Sequence, residues 1–193
     1  MFTPSEAAAI GAFLTLITAI VSMGWKQIRL SRALTSAVNA SAMIFLILVA
    51  ALIFVRFVAL TQIPNHVGNF IESLEMTPLM VLIVILIIYL FLGCVLDAIG
   101  MVALTIPIVY PIIELLGISG IWFGILLVKV VEIGLITPPI GINVFVVKGT
   151  AGDVVSTRQL FVGIFPFLIA DLITLAILVA FPELTMYIPN RMK

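Results

Sequence analysis

The sequence from Ile118 to Val147 is apolar along most of its length, yet its second half contains Gly-Leu-Ile-Thr-Pro-Pro-Ile-Gly-Ile-Asn at residues 134–143. A proline inside a helix removes a backbone donor and clashes with the preceding turn, at a cost of about 3 kcal/mol or more. Two adjacent prolines, two glycines and a threonine in one apolar stretch therefore predict a broken helix. Such backbone is tolerated at membrane depth only where protein buries it or where it lines a wet cavity.

The membrane setting follows from composition. Of 193 residues, 64% are hydrophobic and 9% charged, with a mean hydropathy of +1.40. A soluble domain is roughly 45–50% apolar and about 25% charged. The chain reads as an all-α integral membrane protein, one domain over residues 1–193 without a Ser/Gly linker. The formal net charge is zero, so no basic surface for nucleic acid is indicated. The single histidine, His66, excludes a multi-histidine metal site, and the single cysteine, Cys94, excludes an internal disulfide. No basic leader precedes the first apolar stretch, and no nucleotide-binding loop is present.

Six apolar stretches follow one another: Ala7–Trp25, Ala33 to about Leu60, Pro78–Leu92, Met101–Ile113, Ile118–Val147 and Leu160–Phe181. Between the second and third lies a polar connector with Val67, Phe70, Ile71 and Leu74 at helical spacing, which suits an interfacial helix. A span needs about 20 apolar residues. The third and fourth stretches have only 15 and 13 residues and reach roughly 20 Å each. A re-entrant hairpin with its tip at Gly93–Gly100 accounts for that. Two ordinary spans joined by a cytoplasmic turn are the alternative, although the tip, Gly-Cys-Val-Leu-Asp-Ala-Ile-Gly, has no Lys or Arg.

Basic loops orient the chain. Lys26, Arg29 and Arg32 place the first loop in the cytoplasm, and Lys148 and Arg158 place a later one there. The connector and the hairpin's entry then lie outside, as does Met1, which suggests sequence lost upstream. Arg191 and Lys193 weakly oppose the scheme.

Candidate chemistry lies at the break and the tip. The first half-helix is expected to end near Gly134 with unpaired carbonyls of partial negative charge. Thr137 is expected to cap the second half, with Pro138 or Pro139 in its first turn. Gly141 permits close backbone approach, and Asn143 offers an amide. Half-helix ends of this kind hold anionic groups at amino termini and cations at unwound carbonyls. A proline kink sheltered by neighbouring helices is the plainer alternative. At the tip, Asp97 is either a carboxylate facing an ion or cavity at depth, or a helix cap at the membrane surface. Lys129 and Glu132 are spaced to pair on one face. Arg56 is expected to snorkel, Glu114 to lie at the outer interface, and Asp171 stands mid-stretch without a motif. A membrane aspartyl protease using Asp97 and Asp171 would need a Gly-x-Gly-Asp context that is absent.

The segment from Gly93 to Gly149, with Phe-Thr-Pro-Ser-Glu-Ala-Ala-Ala-Ile-Gly-Ala-Phe at residues 2–13, resembles the large membrane subunit of tripartite ATP-independent periplasmic (TRAP) transporters. Ser5 stands where that family's mid-chain motif has a second threonine. The resemblance covers essentially the whole chain and implies the second of two inverted repeats, with the first absent. It implies a multi-pass protein of the bacterial inner membrane that imports organic acids, C4-dicarboxylate or sialic-acid-like, by sodium-coupled alternating access. No cofactor is implied beyond sodium as coupling ion. The implied partners are a periplasmic solute-binding protein, a small four-helix membrane subunit and the first repeat. By motif, Gly93, Asp97, Gly134, Thr137 and Pro138 would bound the sodium site, and Thr137, Pro139, Gly141 and Asn143 would approach the substrate carboxylate. An inactive fragment, or one half of a split permease, is the alternative.

Overall fold

A computed structural model describes residues 3–25 and 28–191. Nine α-helices and no strand are found among them: α1 (Pro4–Met23), α2 (Leu30–Thr61), α3 (Ile63–Ser73), α4 (Pro78–Gly93), α5 (Ala98–Leu115), α6 (Gly120–Ile136), α7 (Ile142–Ala151), α8 (Thr157–Ala180) and α9 (Pro182–Arg191). A single 3₁₀ turn at Gly152–Val154 follows α7. The chain divides into two compact units, residues 1–46 and 47–193.

In the first unit, the Thr3 side chain accepts from the Glu6 amide at 3.3 Å, while the Glu6 carboxylate accepts from the Thr3 amide at 2.7 Å. The Thr-Pro-Ser-Glu motif is thus a capping box that starts α1. The apolar side chains of α1 and of the first half of α2 are almost all exposed, as lipid-facing helices require.

The second unit holds the core. Leu82, Ile85, Leu86 and Tyr89 of α4 pack with Met101 and Ile113 of α5 and with Phe123, Leu126 and Val130 of α6. The amphipathic α3 lies on α5, with Gly68 close to Leu115. This confirms a helix in the polar connector, although Leu74 lies just past its end. Among the described residues, four helices are long and apolar enough to cross a membrane: Ser5–Met23, Leu30–Thr61, Ala98–Leu115 and Thr157–Ala180.

One expectation needs correcting. The apolar count gave the fourth stretch 13 residues, but α5 has 18. The helix begins three residues before Met101, because Asp97 caps it, and runs on through the polar Glu114. Of the third and fourth stretches, length alone therefore marks only α4, at 16 residues, as short.

Candidate helix-end junction

The break in 118–147 is real, and its mechanism is readable atom by atom. In an α-helix each carbonyl accepts from the amide four residues on. For Gly134 and Leu135 those positions are Pro138 and Pro139, which carry no N–H. Thr137 repairs part of the loss. Its amide donates to the Gly134 carbonyl at 3.1 Å, and its hydroxyl donates to the Ile133 carbonyl at 2.5 Å. The Leu135 carbonyl also lacks a donor three residues on, because that residue is Pro138. No hydrogen bond reaches it among the described residues.

Thr137 therefore closes α6 and does not cap the second half, contrary to expectation. Its hydroxyl is spent on the turn behind it. The residue that begins α7 is Gly141, at φ 58° in the left-handed region, where glycine is least strained. A Cβ there would also stand 3.2–3.3 Å from Val144, Phe161 and the Thr137 carbonyl. Pro138 and Pro139, joined by a cis peptide bond, form the break itself and lie ahead of the first turn of α7. Asn143 is exposed on that first turn.

The tip of α4 comes against this break. Gly93 and Gly134 meet backbone to backbone: a Cβ on Gly134 would stand 2.7 Å from Gly93 Cα and 2.8 Å from its carbonyl carbon. Cys94 Sγ donates to the Leu90 carbonyl at 3.2 Å and lies 3.8 Å from the Pro138 carbonyl. The carboxyl ends of α4 and α6 thus converge at one buried point. Each such end carries the equivalent of roughly half a negative charge. Of the predicted site residues, Gly93, Gly134, Thr137 and Pro138 are gathered here. Asp97 is exposed and acts as a cap, its Oδ2 accepting from the amides of Ile99 at 3.1 Å and Gly100 at 3.2 Å.

A second polar centre joins α6 to α8. Lys129 Nζ donates to Asp171 Oδ1 at 2.6 Å and lies 3.6 Å from Glu132 Oε2. The spacing argument found Glu132 but not Asp171, whose partner is 42 residues away in sequence. The signal available was the charge itself: a carboxylate central in an apolar stretch needs a partner. Asp97 and Asp171 are each engaged elsewhere, and no hydrogen bond joins them among the described residues. The Trp122 indole donates to the Leu178 carbonyl at 3.0 Å, and Tyr89 of α4 and Thr105 of α5 share a hydrogen bond of 2.6 Å.

These features define a multi-pass helical membrane protein built around opposed helix ends. Residues 1–184 match the family described as tripartite ATP-independent periplasmic transporter, DctM component, and the chain belongs to that family of large permease subunits. It is 29% identical over 190 residues to the sialic acid TRAP transporter large permease protein SiaM of Vibrio cholerae, covering 98% of this chain and 44% of that one. It is 31% identical over 192 residues to the C4-dicarboxylate TRAP transporter large permease protein DctM of Pseudomonas aeruginosa, with the same coverage. The 2,3-diketo-L-gulonate TRAP transporter large permease protein YiaN of Escherichia coli is 29% identical over 189 residues, covering 95% of this chain and 43% of that one. The chain therefore spans less than half the length of these relatives. They are transporter permeases, and the chain is an integral protein of the inner membrane like them.

Proposed function

We propose that this chain forms one wall of the ion and substrate site in a TRAP-type permease that imports an organic acid by sodium-coupled alternating access. The observation that carries the reading is the convergence of α4 and α6 at Gly93 and Gly134. Two carboxyl-terminal helix ends together present roughly one negative charge in a medium of low dielectric. A monovalent cation balances it. The Leu135 carbonyl freed by the prolines, with the Gly134 carbonyl beside it, is a hard oxygen donor, suited to sodium and needing no cluster of acidic side chains. The amino end of α7, where Gly141 and Asn143 lie, would then face the substrate carboxylate. In this reading the chain does no chemistry on its solute.

The same contact supports a re-entrant α4–α5 hairpin. If α6 and α7 together cross the bilayer, their break lies inside it, about 25 Å from the start of α6 and about 15 Å from the end of α7, and Gly93 lies at the same depth. The substrate class, sialic-acid-like or C4-dicarboxylate, follows from what the relatives are named for. A solute-binding protein and a small membrane subunit follow from the family. The rest of a large subunit would supply the opposite wall.

The test is sodium-driven uptake by the reconstituted full-length assembly carrying Thr137→Ala or Asp97→Asn. Loss of sodium dependence in Thr137→Ala is expected. Unaltered sodium dependence in both variants would remove the site from this location.

A further inference from the structure

Helix α6 is enclosed by its own chain on every side but one. Its exposed residues are Ile121, Val128 and Glu132, spaced seven and four apart, so they form a single line along the helix. The Glu132 side chain is 62% exposed. It lies 12 residues from Gly120, about 18 Å along the axis, and about 8 Å before the break, inside a hydrocarbon core about 30 Å thick.

The charges around it do not balance. Lys129 is shared between two carboxylates, and the shorter contact, 2.6 Å against 3.6 Å, goes to Asp171. One ammonium and two carboxylates leave a net negative charge on the open side. Among the described residues of 47–193 the other cations stand at or near helix ends: Arg56 is five residues from the end of α2, Lys148 and Arg158 lie at the ends of α7 and α8, and Arg191 ends α9. A phosphatidylethanolamine headgroup does not reach this depth. Ile121 and Val128 make the rest of the same line apolar.

We infer that the Ile121–Val128–Glu132 line is a protein–protein seam, covered by a membrane helix that presents a Lys or Arg to Glu132. The occupant is a segment of the large subunit outside this chain. Glu132 is five residues, about 8 Å, from Thr137, so the helix that covers it also borders the junction. The inference rests on the transporter reading at that point, because only there does the junction have an opposite wall.

The experiment places the photo-crosslinking residue benzoylphenylalanine at position 132 or 128 in cells making the complete transporter, and identifies the captured peptide by mass spectrometry. The expected peptide comes from the large subunit outside this chain and has a Lys or Arg within one turn of the crosslink. Crosslinks confined to lipid, to the small subunit or to another copy of this chain overturn the inference. As a second arm, Glu132→Lys lowers recovery of the assembled complex roughly tenfold or more, and reversing the captured basic residue restores it. Failure of that reversal to restore a variant that inserts normally also overturns the inference. Position 128 keeps the first arm informative if Glu132→Lys does not fold. An intact crosslink without sodium-driven uptake counts against the transport reading and leaves the seam standing.

Discussion

Helices α6 and α8 are both apolar, and they solve the membrane in opposite ways. Helix α8 runs 24 residues with no buried position, and its one internal proline, Pro166, does not end it. Helix α6 buries seven of its 17 residues and stops at a double proline. Lipid offers nothing to an unsatisfied carbonyl, so the helix that faces lipid must stay whole. The helix walled by α4, α5 and α8 can be cut, because protein atoms bury Gly134 and Gly141 on either side of the cut, although Pro138, Pro139 and Ile140 themselves are exposed. Continuity and burial are thus exchanged for one another, and the break sits where exchange is cheapest.

The largest effect that would test this contrast lies between the two helices. Lys129→Met should destabilise the protein by about 3 kcal/mol, because Asp171 is left without its cation at depth. The double variant Lys129→Met, Asp171→Leu should recover most of that loss. Thermal unfolding in detergent measures both, and a double variant worse than either single one would refute the pairing. Next comes Gly134→Ala, whose Cβ would meet the Gly93 backbone at 2.7 Å. Overpacking of this kind costs about 1–3 kcal/mol. Gly93→Ala, with its closest contact at 3.2 Å, should cost less. Equal losses would mean that the two helices separate freely.

Removing the Thr137 hydroxyl with Thr137→Val should cost about 1 kcal/mol of stability through the bond to the Ile133 carbonyl, and Thr137→Ser should restore it. Trp122→Phe, which loses the bond to Leu178, should fall within about 0.5–1.5 kcal/mol. The smallest effect is expected on the whole helix: Phe167→Leu, at an exposed position of α8, should stay within about 0.5 kcal/mol. A large loss there would show that α8 is buried by protein in the assembly.

The break was legible in the sequence because proline acts locally: whatever surrounds it, it withholds an N–H from a known carbonyl. The connector helix was legible for a similar reason, through its 3.6-residue period. Thr137 was misplaced because a threonine before proline fits a helix start as well as a helix end. Only the demand for donors at Ile133 and Gly134 decides between them. The α5 boundary slipped because apolar counting cannot see that Asp97 starts the helix three residues earlier. The meeting of Gly93 with Gly134 was not legible as a contact. A glycine announces room for a neighbour without saying which one. The same holds for Asp171, whose partner is set by how α6 and α8 pack.

The double proline also bears on how the chain enters the membrane. Insertion is decided by apolarity summed over a window of about 20 residues, and on that measure residues 118–147 enter as one piece. The Leu135 carbonyl would then travel into hydrocarbon without a donor. But α4 precedes α6 in the chain, so Gly93 is synthesised before Gly134 emerges. The shelter is built first and the fault is delivered into it. A lesion in α4 should therefore appear first as a failure to insert or retain α6 and α7, and so as rapid degradation of the newly made chain.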